Sequence, residues 1–357
     1  MRAVKLSLFT EVQCPPTASP QQRLDELLAQ AELADRLGYH GLWLSEIHFQ
    51  PEFSLLAAPY VVLGAIAART QRLRLGVAVN ILPVHHPLHL AEQAATLDVL
   101  SHGRLEFAMG RGHVHSRVYE GFGAAREESR ARQEESARAI VAAWTQETLE
   151  FHGAYYDIPE VVVTPKPVQR PHPPLHVAAT SRASVEATAG QGLHLFMPVH
   201  LLPRAELCAL AAAYWDGLRA HGHDPAAHEL GLLLPLYVAA TTEQARAEAR
   251  EGFMDYYRVI HAIQEDYLRW PGRRGHEVPP PSARRPMTFE RFCAEGAILA
   301  DPATALADLQ HLIAATGATQ ILGWTNMGSI PHARVMGSLQ RFADEVMPHL
   351  PGAVARP

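Results

Sequence analysis

Short apolar runs alternate with longer stretches whose apolar residues recur every three or four positions, and the alternation spans nearly the whole chain. Residues 4–9 read as a strand. Residues 20–37 then carry Leu24, Leu27, Leu28, Ala31 and Leu37 at helical spacing, with Gly38 as a stop signal. Strand 41–44, helix 58–69, strand 73–79, helix 88–100, strand 105–110 and a long polar helix over 126–149 follow. The second half repeats the rhythm with strand 175–180, helix 183–191, strand 194–199, helix 204–221, strand 230–239 and helix 242–257. Residues 301–316 form a helix capped by Asp301 with Pro302 in its first turn, then come strand 320–324 and helix 332–347. Strands separated by helices pair in parallel through right-handed crossovers. Eight such strands fit a closed (β/α)8 TIM barrel better than an open doubly wound sheet, and no Gly-x-Gly-x-x-Gly follows the first strand.

Two segments interrupt the pattern. Residues 150–168 hold Tyr155, Tyr156, Val161, Val162 and Val163 and read as an inserted hairpin. Residues 262–286 are rich in Pro, Gly and Arg, the composition of an irregular loop, and are expected to form a mobile lid. With no repeat and no linker dividing the chain, residues 1–357 are expected to form a single barrel domain with these insertions.

The chain has 357 residues, is 48% hydrophobic and carries a net charge of −6, so it can build a large core and offers no basic face for nucleic acid. Cys14, Cys208 and Cys293 stand far apart, without the spacing of a disulfide framework or zinc-thiolate site. With a strand starting near Val4, no room is left for a signal peptide, and no apolar run reaches the ~18–20 residues of a membrane helix. The expectation is a cytoplasmic protein that works without a membrane.

Polar chemistry clusters at the carboxyl ends of successive strands, where a (β/α)8 barrel builds its active site. The clusters are Ser45-Glu46-Ile47-His48-Phe49, Asn80-Ile81-Leu82-Pro83-Val84-His85-His86-Pro87, and Met109-Gly110-Arg111-Gly112. Arg111, between two glycines, reads either as a bidentate grip on a phosphate or as a loop arginine paired with a carboxylate. Thr180-Ser181-Arg182-Ala183-Ser184 opens a helix, either as an anion site or as an ordinary cap by Ser181. Arg130 by itself reads as a solvated helix residue. Alternation puts Glu46 and His48 on one side of the chain, as a catalytic or a structural pair. The 21 histidines invite a metal reading, but no His-x-His follows the first strand, and no metal is expected.

In order and spacing these segments resemble the bacterial luciferase family of flavin-dependent monooxygenases. Leu56-Ala57-Ala58-Pro59-Tyr60, Gly121-Phe122-Gly123 and Val346-Met347-Pro348-His349-Leu350 extend the resemblance across the chain. It implies that Arg111, Arg130, Ser181 and Ser184 bind the phosphate of reduced FMN, with Thr180 a further candidate that stands where luciferase has a glutamate. It implies a non-proline cis peptide at Ala78–Val79 against the isoalloxazine ring, where Asn80 is expected to hydrogen-bond flavin or substrate and Met109 to wall the cofactor pocket. It also implies oxygen chemistry through a flavin C4a-peroxide, with reduced flavin from a separate reductase and a small organic substrate. An F420-dependent oxidoreductase and a non-catalytic flavin-binding subunit are the alternatives on the same fold. Family members pair through helices beside the first strands, and a homodimer is the expectation here.

The chain also departs from the family. Luciferase's catalytic subunit has Glu-His-His-Phe where this chain has Glu46-Ile47-His48-Phe49, so the catalytic histidine is replaced by Ile47. Gly110 replaces a reactive cysteine. Glu46 and His48 remain candidate catalytic residues, with His113 as a candidate for the missing base. His86 matches a family histidine in the Leu-Pro-x-x-His-Pro turn and is expected to be structural or to line the pocket.

Overall fold

A computed structural model describes residues 3–112, 117–270 and 288–352. The first half runs β1 (Lys5–Thr10), α1 (Pro20–Leu37), β2 (Gly41–Leu44), α2 (Pro59–Ala67), β3 (Arg74–Ile81), α3 (Pro87–Leu100), β4 (Leu105–Gly110), α4 (Val118–Gly121) and α5 (Ser129–Thr145). A hairpin of β5 (Leu149–His152) and β6 (Asp157–Val161) follows. The second half runs β7 (Leu175–Ala178), α6 (Arg182–Gly190), β8 (His194–Pro198), α7 (Arg204–Ala220), β9 (Leu230–Val238), α8 (Thr242–Arg269), α9 (Phe289–Glu295), β10 (Ile298–Ala300), α10 (Pro302–Thr316), β11 (Gln320–Trp324) and α11 (His332–Glu345).

Eight parallel strands close into a barrel in the order β1-β2-β3-β4-β7-β8-β9-β11, with β11 pairing back on β1. These are the eight strands that the apolar pattern predicts. β10 is an addition. Its three residues pair with Leu236–Val238, because nine-residue β9 outruns its neighbours and leaves its last turn of backbone to be satisfied. Such a short run carries too little periodicity to be read as a strand from sequence.

Helix boundaries follow local chemistry. Ser19 caps α1 by accepting from the Gln22 N–H, and Gly38 ends it at φ 82°. Asp301 caps α10 through the Thr304 N–H at 3.0 Å. The hairpin is tied to α5 by Glu135, whose carboxylate accepts the N–H groups of Ala154, Tyr155 and Tyr156, each at 2.8 Å. Asp98 of α3, fully buried, accepts from Val168 N at 2.7 Å and Gln169 N at 3.1 Å as the chain returns to the barrel.

α8 runs further than the spacing to Tyr257 suggests. Gln264 and Tyr267 are buried on its inner face, so burial keeps residues 262–269 helical where an irregular loop was expected. The remainder of the expected lid, residues 271–286, lies outside the described residues. Tyr256 meets the Trp324 ring edge-on at 4.8 Å and lies 5.6 Å from Phe53, and Asp266 pairs with Arg117 at 2.5 Å. α8 therefore reaches across the carboxyl ends of β11, β2 and β4. Among the described residues, no helix is long and apolar enough to cross a membrane.

The barrel interior is filled by large side chains set against glycine on the neighbouring strand. Trp43 and Gly76 are register partners across β2 and β3, as are Phe196 and Gly231 across β8 and β9. A Cβ on Gly76 would stand 2.3 Å from the Trp43 ring. Gly76→Ala is expected to destabilise the protein by about 1–3 kcal/mol through overpacking, read as a lower urea midpoint at unchanged slope. An unchanged midpoint would show that Trp43 has room to move.

Candidate active site

The carboxyl ends of β2, β3 and β4 bring together a buried polar network centred on Glu46. Its Oε1 accepts from His48 Nε2 at 2.8 Å and from His85 Nε2 at 2.5 Å, while Oε2 accepts the Ile81 N–H at 2.8 Å. Burial alone would raise the Glu46 pKa. The hydrogen bonds from His48 and His85, the His85 charge and the Ile81 N–H outweigh it and hold the carboxyl down at about 2. His85 moves the other way. Burial opposes its charge, but the hydrogen bond and negative charge of Glu46 raise its pKa above the ordinary 6.5. His48 is closed in, edge-on to Phe122 at 4.9 Å, whereas the His85 side chain keeps a quarter of its surface exposed.

The three donor atoms lie within 4.8 Å of one another, close enough to share a metal ion. Their short contacts match hydrogen bonds in which two imidazoles share one oxygen. Tyr60 and Asn80 stand nearby with buried polar atoms. Asn80 Nδ2 donates to Ala108 O at 2.9 Å and its side chain also reaches the Tyr60 hydroxyl, while Asn80 Oδ1 has no hydrogen-bond partner. Burial, then the Glu46 charge, keeps the Tyr60 phenol protonated.

A second group gathers one strand further on. Met109, Arg111, Arg130 and Ser184 line one cavity of ≈ 630 Å³ at the carboxyl end of β4, between α5 and α6. Phe107 points out of the barrel onto Trp144 of α5, and Met109, two residues along, shares that outward side. Ser181 caps α6, accepting from Ser184 N at 3.4 Å and donating to Ser184 Oγ at 3.0 Å. Thr180 and Ser181 are exposed at the start of that helix, beside the cavity. Arg130 is exposed and pairs with Glu134 at 3.1 Å. The Arg111 carbonyl accepts from the Tyr119 hydroxyl at 2.7 Å, which anchors the loop that carries it.

Between the two groups lies the end of β3. The Ala78–Val79 peptide is cis, and Val79 fills the space beside Gly110, where a Cβ would meet its Cγ2 at 2.3 Å. Sequence reasoning placed Glu46 and His48 together but passed over His85 and Tyr60. Two adjacent histidines end the same turn, and spacing alone cannot say which reaches Glu46. His86 instead caps α3, accepting the Leu88 N–H at 3.3 Å. His113 lies outside the described residues.

The Glu46 contribution to stability is complete above pH 4.5 and is lost as pH falls through about 2. The His85 contribution is complete below pH 6.5 and is lost as pH rises through its elevated folded value. In Glu46→Gln the partner that raises His85 is gone while burial remains. One histidine resonance should then move its titration midpoint from above 6.5 to below it. A midpoint that stays put would show that another group holds the His85 proton.

The family described as luciferase-like monooxygenase matches residues 4–320. The oxygenase component of a flavin-dependent trigonelline monooxygenase from Acinetobacter baylyi is 30% identical over 253 residues, 70% of this chain and 69% of that protein. The solved monooxygenase RslO1 from Streptomyces bottropensis superposes with a TM-score of 0.85 at 28% identity, covering 97% of this chain and 99% of its own. The oxygenating constituent of 3,6-diketocamphane monooxygenase from Pseudomonas putida, solved with FMN, shares the fold at a TM-score of 0.80 and 19% identity, over 98% and 99% of the two chains.

Proposed function

The chain belongs to the luciferase-like monooxygenase family, and on that premise we propose that it is the oxygenase of a two-component system, taking reduced FMN from a separate reductase and using O2 to oxygenate a small apolar organic substrate. We read it as a cytoplasmic homodimer. The observation that carries the proposal is the convergence of Arg111, Arg130 and Ser184 on one cavity at the carboxyl end of β4.

The residues present suit a flavin monophosphate. Two guanidinium groups and the hydroxyls and N–H groups at the start of α6 form an anion cradle. Asn80 Oδ1, buried without a hydrogen-bond partner, offers an acceptor to a bound ring system. Reduced flavin supplies the electrons that activate oxygen. Everything else falls to the chain. Arg111 and Arg130 hold the phosphate, and Thr180, Ser181 and Ser184 complete its shell. Ala78 and Val79 wall the approach to the ring, and Met109 lines the phosphate cavity. α8 lies over the mouth and excludes water that would divert the reaction.

The proton chemistry centres on Glu46. Ile47 offers no titratable group where the family has a histidine, while His85 reaches the same carboxylate from the β3 turn. Glu46 keeps a proton on His85 Nε2, and His85 is the more exposed of its two imidazoles. His48, packed under Phe122, fixes the orientation of the carboxylate.

The test is to load the protein with photoreduced FMN, mix it rapidly with oxygenated buffer and follow absorbance. A transient spectrum distinct from reduced and oxidised flavin, outliving free-flavin reoxidation, is expected. Tight FMN binding with immediate reoxidation, with and without candidate substrates, would point to a non-catalytic flavin-binding subunit. Preference for F420 over FMN would point to hydride transfer on the same fold. Arg111→Ala is expected to raise the FMN dissociation constant about 10–100-fold, the worth of a charge-assisted phosphate contact. An unchanged constant would move the phosphate elsewhere.

A further inference from the structure

A buried cation lies between the loop that carries Arg111 and the last turns of α8. Arg126, in the turn between α4 and α5, is 7% exposed. Its guanidinium carbon stands 4.5 Å from the centre of the Tyr119 ring and 5.5 Å from that of Tyr267. Its counter-charge, the Glu120 carboxylate of α4, lies 3.5 Å away and is itself mostly buried. A flat guanidinium suits this place, because it stacks on aromatic faces while keeping its charge. On one side the contacts lead to the phosphate cavity. The Tyr119 hydroxyl donates to the Arg111 carbonyl at 2.7 Å, and the side chain of Ser129, the residue before Arg130, also reaches it. The Arg126 carbonyl accepts the Ser129 N–H at 3.0 Å where α5 begins. Val118 and Tyr119 pack with Ile81 in a small apolar cluster apart from the main core, and such local units yield more readily than the core does. On the other side the contacts lead to α8. Tyr267 lies on its buried face, Asp266 pairs with Arg117 at 2.5 Å, and the Arg117 guanidinium stands 4.8 Å from the Trp270 ring. The Arg117 pair is open to water and holds little on its own, which leaves Arg126 as the firmer tie. Among the described residues, none of α8 lines the phosphate cavity.

We propose that Arg126 is a positioning residue for the flavin phosphate. Acting through Tyr119 and Tyr267, it couples the seat of α8 over the mouth to the setting of Arg111, and through Ser129 to that of Arg130. The inference rests on the flavin reading above. A phosphate that draws Arg111 into place draws Tyr119 with it, and Tyr119 tightens the stack that ends on Tyr267. The linkage runs both ways, so α8 seated on that stack holds Arg111 ready for the phosphate. The site then closes fully on a flavin that carries a phosphate and stays looser on one that lacks it. Water is thereby shut out when the correct cofactor is bound.

The experiment compares FMN with riboflavin, which lacks the phosphate, on the full chain by equilibrium dialysis and by amide hydrogen exchange. In the wild type, saturating FMN is expected to slow exchange at the end of α8, residues 264–269, more than saturating riboflavin does. Arg126→Lys keeps a charge beside Glu120 but replaces the flat guanidinium with a compact ammonium. It should remove that difference in exchange and raise the dissociation constant for FMN about tenfold, while the constant for riboflavin stays unchanged. Tyr267→Leu should do the same from the α8 side, and Tyr267→Phe, which keeps the ring, should retain the coupling. Two substitutions from opposite ends of the stack guard against one failing to fold. Equal losses of FMN and riboflavin affinity, or an FMN constant that neither variant moves, would make Arg126 a purely structural residue and overturn the proposal while the flavin reading stands. Equal protection of α8 by FMN and riboflavin in the wild type would overturn it as well. A wild type that binds no FMN would overturn the flavin reading itself, and the coupling with it.

Discussion

A closed eight-stranded barrel has to fill its own interior, and the structure meets that constraint by setting large rings against glycine on adjacent strands. Trp43 lies over Gly76 and Phe196 over Gly231. The two rings meet edge-on at 4.8 Å, and His176 stacks on Phe196 at 4.5 Å. Beneath them Glu106 of β4, almost wholly buried, is paired with Arg74 and lies 3.2 Å from His176. Burial would raise its pKa, but His176, His40 and Arg74 hold it well below the ordinary value. The lower barrel is thus closed by rings and by the Arg74–Glu106 ion pair. Chemistry is left to the opposite end.

That division sets where polar groups can serve a ligand. At the carboxyl ends the strands give way to loops, and Glu46, His48, Asn80 and Arg111 emerge from neighbouring strands within reach of common neighbours. Glu46 is the joint between β2 and β3, because its two oxygens bind a backbone N–H and two imidazoles from different segments. Loss of its charge would leave buried donors without an acceptor, a larger cost than one surface ion pair could carry. Gly110 connects this network to the arginine loop by leaving room for Val79.

The outer layer is less uniform than the inner one. α3 packs on α5 and α6 on α7, but the groove opens between α5 and α6. The β5–β6 hairpin enters the chain between α5 and β7, and β7 still pairs directly with β4. Glu135 and Asp98 hold this longer route by accepting backbone N–H groups from its turn and its return.

All eight barrel strands were legible in the sequence, since a strand buried on both faces must be continuously apolar and a helix covering it must be apolar every third or fourth residue. So were the strand ends that carry Glu46, Asn80 and Arg111, because polar residues directly after such runs have few other places to go. The pairing of Glu46 with His48 followed from alternation alone. Three things were decided only by the tertiary structure. His85 rather than His86 reaches Glu46, because a one-residue step around the turn redirects a side chain and no periodicity records it. α8 stays helical to Arg269, because Gln264 and Tyr267 are buried by packing that neighbouring residues do not reveal. Met109 turns outward with Arg111 onto a groove whose walls, α5 and α6, are separated in the chain by the hairpin and β7. Local patterns are set by what each segment must bury, whereas a cavity exists only in the distance between segments.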